Sequence, residues 1–173
     1  MRIGLRLARD SVASGLGELT SQLSAVRSVD HIRTVAALIP AALGADDVAV
    51  SRLSADGDWL EDISRHDWSE PGGRYRLAEY PATAYVIRTR TAGQVVVGDL
   101  ASDPTELALL EENGFGAMMM IPLVFGGCDL GLLELYRCRA QPFSSGELER
   151  AQLLAHQLAA VIDLLERVDP VRA

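Results

Sequence analysis

Apolar residues recur along the chain with two different periods, and the changes of period divide it into elements. Val12, Leu16, Leu19, Leu23 and Val26 follow one another at steps of four and three, the heptad seam of an amphipathic helix. Ser28 offers an N-cap, and Ile32, Val35, Ala36, Ile39 and Leu43 form a second helical face that ends at Gly44, with Pro40 weakening its last turn. From Asp47 the period drops to two. Val48, Val50 and Leu53 mark a strand, Ala55-Asp56-Gly57-Asp58 a turn, and 59–66 a second strand, together a hairpin. Residues 67–79, with Pro71, Gly72 and Gly73, carry no apolar period and are expected as a loop. A short helix over 80–90 opened by Pro81, a strand over 94–97, a turn over 99–103 and a helix over 104–113 capped near Gly114 follow.

Residues 117–125 and 129–137 are two apolar strands joined at Gly126-Gly127, predicted to lie side by side in a mainly antiparallel sheet. Alternation puts Met118, Met120 and Pro122 on one face and Met119, Ile121 and Leu123 on the other. A last helix starts at Ser144, with Glu147 at the capping-box position, and runs to about Val168. It carries two stripes, Leu148, Ala151, Ala155, Leu158, Ile162 and Leu165 toward the sheet, and Leu154, Val161 and Val168 at heptad spacing toward a partner. Five seam residues on the first helix, each worth roughly 1.5–3 kcal/mol when fully buried, also call for cover. The two seams together predict a parallel homodimer through both terminal helices.

Composition narrows the function. A chain of 173 residues, 49% apolar and 23% charged, has the size and balance of one globular domain. Its longest apolar run, 117–125, falls far short of the roughly 20 residues a spanning helix needs. Arg2, Arg6 and Arg9 precede no apolar stretch, so no signal peptide is read and a cytoplasmic location is expected. The net charge of −8 disfavours nucleic acid and anionic membrane as partners. Every basic residue is Arg and none is Lys, a bias that points to a GC-rich genome. Cys128 and Cys138 sit at opposite ends of one strand, which at about 3.3 Å per residue is too far for a disulfide.

Candidate chemistry is sparse. His31, His66 and His156 have no metal-ligand spacing, and neither a metal nor a cofactor is expected. No Ser, His and Asp set or Cys and His set has supporting context, so the chain reads as a non-enzyme. Gly72-Gly73 and Gly126-Gly127 match no phosphate loop. Glu134 stands out, a carboxylate in the core-like run Leu130 to Tyr136. It must be paired with an Arg, sit at a solvated rim, be neutralised, or face a polar cavity where it could touch a ligand.

Particular stretches then narrow the family. Val97-Gly98-Asp99-Leu100, the run that ends Ile121-Pro122-Leu123, Leu130-Gly131-Leu132-Leu133-Glu134-Leu135, Pro142-Phe143-Ser144 and Leu154-Ala155-His156-Gln157-Leu158-Ala159-Ala160-Val161-Ile162 occur in one order. In these stretches the sequence resembles the GAF domain family over residues 28–168. The resemblance implies an α+β fold, a central antiparallel β-sheet flanked by helices, with the N- and C-terminal helices forming a packing and dimer bundle. Residues 1–27 would be an N-terminal amphipathic helix serving as linker and dimerisation element, 28–168 the GAF domain and 169–173 a tail or linker.

The function implied is a sensory and regulatory module of a bacterial signalling protein. It would bind a small ligand, dimerise, or do both, to control a fused output domain such as a cyclase, kinase, phosphodiesterase or transcription regulator. A purely structural dimerisation module is one alternative and a free methionine sulfoxide reductase-like enzyme another, although reductases of the family carry their cysteines in pocket loops. The Cys of bilin-binding members and the His of haem-binding members have no counterpart in residues 99–117, and the Asn-Lys-Phe-Asp-Glu signature of cyclic-nucleotide members needs a Lys. A ligand is expected between the sheet and the layer of residues 67–116. Asp99, Met118, Met120, Glu134, Tyr85 and Phe115 are its candidate contacts, Asp99 being equally suited to turn and N-cap chemistry.

Overall fold

The structure, a computed structural model, describes residues 15–64 and 73–168. Residues 15–24 are helical (α1). Ser28 caps α2 (Val29–Ala36), its hydroxyl accepting from the His31 amide at 3.2 Å. The chain then breaks at Ala37-Leu38, so Pro40 falls in the first turn of a separate helix, α3 (Ile39–Leu43), where its missing N–H costs nothing. Gly44 closes α3 in the left-handed conformation, φ 71°. The single helix read over residues 28–43 is therefore two.

Strands β1 (Asp47–Leu53) and β2 (Trp59–Asp62) form the expected first hairpin; Ile63 and Ser64 are not part of β2, and the last two residues of the strand as read, Arg65 and His66, lie outside the described residues. Next come β3 (Arg74–Arg76), a single 3-10 turn over Leu77–Glu79, α4 (Pro81–Thr89), β4 (Gly93–Val96), α5 (Pro104–Glu112), β5 (Ala117–Phe125), β6 (Cys128–Arg137) and α6 (Ser145–Val168). The capping box at the start of α6 forms: the Ser144 amide donates to Glu147 Oε2 at 2.8 Å, and Ser144 Oγ lies 3.4 Å from the Glu147 amide. β3 lies in the segment read as loop. Its three residues, Arg-Tyr-Arg, carry no apolar period; Arg74 holds it in place through an ion pair to Glu61 at 3.1 Å and by stacking 5.0 Å over the Trp59 ring.

The six strands run antiparallel in the order β3-β2-β1-β6-β5-β4, with β6 between β1 and β5. Alternation gives the sheet two unlike faces. One face, with Val48, Val50, Met119, Ile121, Leu123, Leu133 and Leu135, is covered by α1, α2, α3 and α6. The other, with Ala49, Met118, Met120, Leu132 and Tyr136, lies under the 3-10 turn, α4 and α5. A bulge near Leu130-Gly131 lets Leu130 join the α6 face while Leu132 keeps to the other. Only Gly fits there, since a Cβ on Gly131 would lie 1.9 Å from the Ser51 carbonyl oxygen.

The seam of the first helix closes inside its own chain. Leu19, Leu23 and Val26 are at most 3% exposed and share one apolar cluster with Leu154, Leu158 and Ile162, while Thr20 Oγ1 donates to Gln157 Oε1 on α6 at 3.3 Å. Leu16 and Val161 pack partly buried against the same cluster, Val168 is 74% exposed, and Val12 lies outside the described residues. This corrects the reading of Leu19, Leu23, Val26 and Leu154 as a partner-facing seam: helices of the same domain already supply the apolar cover that argued for a partner. The large apolar residues α6 leaves outward are Leu153, Leu164 and Val168. Among the described residues, no helix is long and apolar enough to cross a membrane. Leu23→Ala is expected to lower stability by about 2–5 kcal/mol in urea unfolding. The loss should be the same at low and high protein concentration; a loss that grows as the protein is diluted would place Leu23 between chains instead.

Candidate functional site

On the second face of the sheet a cavity of about 40 Å³, room for about three water molecules, opens between the strands and the layer of α4 and α5. Ala49, Ser51, Leu60, Asp62, Glu134 and Tyr136 form its floor, and Tyr75, Leu77, Tyr80, Thr83, Glu106 and Leu109 its walls. The polar side chains arrive from different elements, each placed by local rules. Asp62 ends β2, where it accepts from Ser64 Oγ at 3.3 Å. Glu134 pairs across the sheet with Ala49 on β1 and Met120 on β5, and alternation turns it to the same face as Tyr136. Tyr75 and Tyr80 meet edge to face with ring centroids 6.3 Å apart.

Glu106 joins the two helices of the wall. Asp103 caps α5, accepting from the Thr105 and Glu106 amides at 2.9 and 3.2 Å. Helix α4 has no side-chain cap of its own at Tyr80. Glu106 supplies the missing acceptor from across the cavity, taking the Thr83 amide at 3.2 Å and the Thr83 hydroxyl at 2.6 Å. Glu106 is buried, with 1% of its surface exposed. Desolvation raises its pKa above the ordinary carboxylate value, against the pull of the two Thr83 bonds.

Glu134 is shifted further. Desolvation first, then the nearby Glu106 and Asp62 carboxylates, push it up to about 8 despite a hydrogen bond from Tyr136. The same surroundings raise the Tyr80 and Tyr136 phenols, desolvation again leading in each. Among the described lining residues there is no basic side chain. The arrangement can bind, orient and neutralise a small polar group.

The family model of the GAF domain matches residues 30–162. The chain belongs to the GAF domain family. The fold agrees: the GAF domain of a phosphoenolpyruvate-protein phosphotransferase (ptsP) from Coxiella burnetii superposes with a TM-score of 0.77 at 18% identity, over 93% of this chain and 97% of that one. The GAF domain of the Acinetobacter phosphoenolpyruvate-protein phosphotransferase gives 0.72 at 15%, over 90% and 95%. The phycocyanobilin-bound GAF domain from a cyanobacterial phytochrome gives 0.72 at 19%, also over 90% and 95%. No curated protein matches the sequence. GAF domains form a ligand-binding sensory and regulatory family, generally without catalysis of their own.

Of the six ligand contacts expected from sequence, one lines the cavity of this GAF domain. Glu134 does so, and no Arg is among the described residues of the lining. Met120 is buried behind the wall, with Thr83 Oγ1 3.4 Å from its sulfur, and Met118 is buried beside it. Phe115 packs on the Tyr136 ring at 5.0 Å, outside the lining. Tyr85 is 57% exposed on the outer side of α4. Asp99 is exposed in the turn after β4, where it accepts from the Ala101 amide at 3.0 Å, so its turn chemistry prevails over ligand contact. Cys128 and Cys138 are free and exposed at the two ends of β6.

Asp62, Thr83 and Glu106 escaped the sequence reading. An acid in the first turn of a helix is ordinary dipole chemistry, and nothing local shows that Glu106 turns inward. The raised Glu134 value predicts a pH dependence. A folded-state value near 8 against an ordinary 4.5 means that the folded protein holds this proton more tightly, so its contribution to stability is full below 4.5 and is lost as pH rises through about 8. Stability should fall over that interval by at most about 1.4 kcal/mol per pH unit. Glu134→Gln should flatten the decline in urea unfolding followed at several pH values; an unchanged profile in the variant would show that Glu134 is not its source.

Proposed function

We propose that this GAF domain is the sensory part of a bacterial, cytoplasmic signalling protein, binding a small molecule in the cavity walled by Glu106, Thr83 and Glu134 and passing occupancy to a fused output domain. The observation that carries this reading is the cavity itself. An interior packed with apolar side chains would leave only a structural role, whereas here three carboxylates, three phenols and two hydroxyls converge on one void under α4 and α5. Asp62, Thr83 and Glu106 are buried there and Glu134, Tyr75 and Tyr80 half-buried, a lining suited to a polar ligand.

The route outward is short. β5 and β6 carry the cavity face on one side and the α6 face on the other, so displacement of their backbone by a ligand reaches α1 and α6 through a close-packed core. In this reading α6 also pairs with a second copy through its outward Leu153, Leu164 and Val168. The output domain would be a cyclase, kinase, phosphodiesterase or transcription regulator.

Native mass spectrometry of the protein purified from its own host tests both parts together. The expected spectrum shows a dimer carrying a small-molecule mass that is released on denaturation. A bare dimer would favour a structural module, and a bare monomer would reject the sensory and dimeric readings alike.

A further inference from the structure

We infer that the domain carries a second small-molecule site, on the face of the sheet opposite the cavity, and that it takes a monocarboxylate with a short apolar body. A groove of about 240 Å³ lies between α6, the end of β5 and the segment joining α4 to β4, against about 40 Å³ for the cavity, and the two share no lining residue. Ala92, Ile121, Val124 and Ala155 supply apolar surface there, and Arg90, Gln152 and His156 polar groups. Ile121 and Ala155 belong to the core on the α6 side. The sheet leaves this space open because β4 begins at Gly93, opposite Met120, so that β5 runs on from Ile121 with no described strand beside it on that edge.

Arg90 is the centre of this site. It closes α4 in the left-handed conformation, φ 56° and ψ 30°, where Gly is the usual residue, and no other non-Gly residue among those described has a positive φ. Its side chain offsets the strain: Nε and Nη2 donate to the two Asp129 oxygens at 2.7 and 3.0 Å, and Nη2 also to the Gly127 carbonyl oxygen at 2.8 Å. The ion pair fixes the guanidinium without using all of it. Nη1 has no partner among the described residues, nor has the Gln152 amide; His156 Nδ1 lies 2.9 Å from the Gln152 carbonyl oxygen and the ring has no other partner. All three residues stand within the unbroken described stretch 73–168, and α1 packs on another flank of α6, where Thr20 meets Gln157.

The remaining donors set the ligand class. The N–H groups of Nη1 and of the Gln152 amide call for acceptor oxygens, and a carboxylate offers two in one plane, the geometry a guanidinium edge meets best. A cation would meet Arg90, and an apolar molecule would cover these donors without pairing them. Asp129 already balances part of the Arg90 charge, so one negative charge suits the site; a dianion brings an excess that the net charge of −8 also opposes. The apolar surface of Ile121, Val124 and Ala155 then takes the body of the ligand. Such an occupant touches both the end of α4, whose start walls the cavity, and α6, which places it between the two helices of the proposed signalling route.

Benzoate, benzamide and inorganic phosphate separate these contributions, since benzamide keeps the shape without the charge and phosphate the charge without the body. Each is titrated into the full chain at millimolar concentration while the Ala92 and Ala155 methyl, Gln152 side-chain amide and Arg90 Nε–H NMR signals are followed. Benzoate is expected to give saturable shifts, with benzamide and phosphate each roughly tenfold weaker or more. Arg90→Gly removes the guanidinium and suits the left-handed backbone, and should weaken benzoate by roughly tenfold while the Leu60 and Thr83 signals of the cavity stay in place. If that variant fails to fold, Gln152→Glu, at an exposed position of α6, should weaken benzoate in the same direction. Equal binding of benzamide and benzoate, preference for phosphate, an affinity unchanged in the folded variant, or no saturable shift at the groove with any probe would each overturn this site. The sensory reading of the cavity does not depend on the outcome.

Discussion

Along β6, side chains alternate between the two faces of the sheet, and β6 is hydrogen-bonded on both sides, to β1 and to β5. Glu134 therefore cannot reach a sheet edge: it must enter either the helical core or the space under α4 and α5. The phase of the strand decides. Leu133 and Leu135 go to the α6 face, which sends Glu134 with Leu132 and Tyr136 to the other. That phase rests on the tight β1–β6 pairing at Gly131, where the Ser51 carbonyl leaves no room for a side chain. A one-residue slip would drive the carboxylate into a cluster made of Leu, Ile and Val. The floor of the cavity, the shifted proton on Glu134 and the layer needed to cover it all follow from this constraint.

The second helical layer answers that constraint with polar chemistry. Glu106 could satisfy itself in solvent on an exposed first turn of α5; instead it caps α4 through Thr83 and closes the cavity with a second carboxylate. Desolvation raises both carboxyls and Glu106 raises Glu134 further, so the domain holds an acid that keeps its proton above the ordinary carboxylate range. On the opposite face Met119, Ile121 and Leu123 bind the same strand to α6, whose start is fixed by the Arg137 guanidinium lying 3.9 Å over the Phe143 ring. Cavity and terminal helices thus share the backbone of two adjacent strands, β5 and β6.

Much of the fold was legible because it is written in local signals. The Gly126-Gly127 hairpin, the Ser144 and Glu147 box, Pro81 and Pro104 opening helices, and the alternation of Met118 to Leu123 each need only their neighbours to be read. β3 was illegible because its strand character comes from Glu61 and Trp59, residues 13 and 15 positions upstream of Arg74. The terminal seams were read correctly as apolar faces and wrongly as to what covers them, since periodicity shows that Leu19 and Leu23 need a partner surface but not which chain supplies it. Within the site, Glu134 was conspicuous against its apolar strand, whereas Glu106 and Thr83 matched ordinary helix starts. Asp99 illustrates the converse: its family position suggested a ligand contact, and the local turn claimed it.

The account turns on Glu134 being desolvated beside Glu106, and its carboxyl carbon can be followed directly by 13C NMR across a pH titration of the unliganded chain. A midpoint near 8, shifting when Glu106→Gln removes the neighbouring charge, is what this structure predicts. A midpoint near the ordinary 4.5, indifferent to Glu106, would place the carboxylate in water and contradict the account.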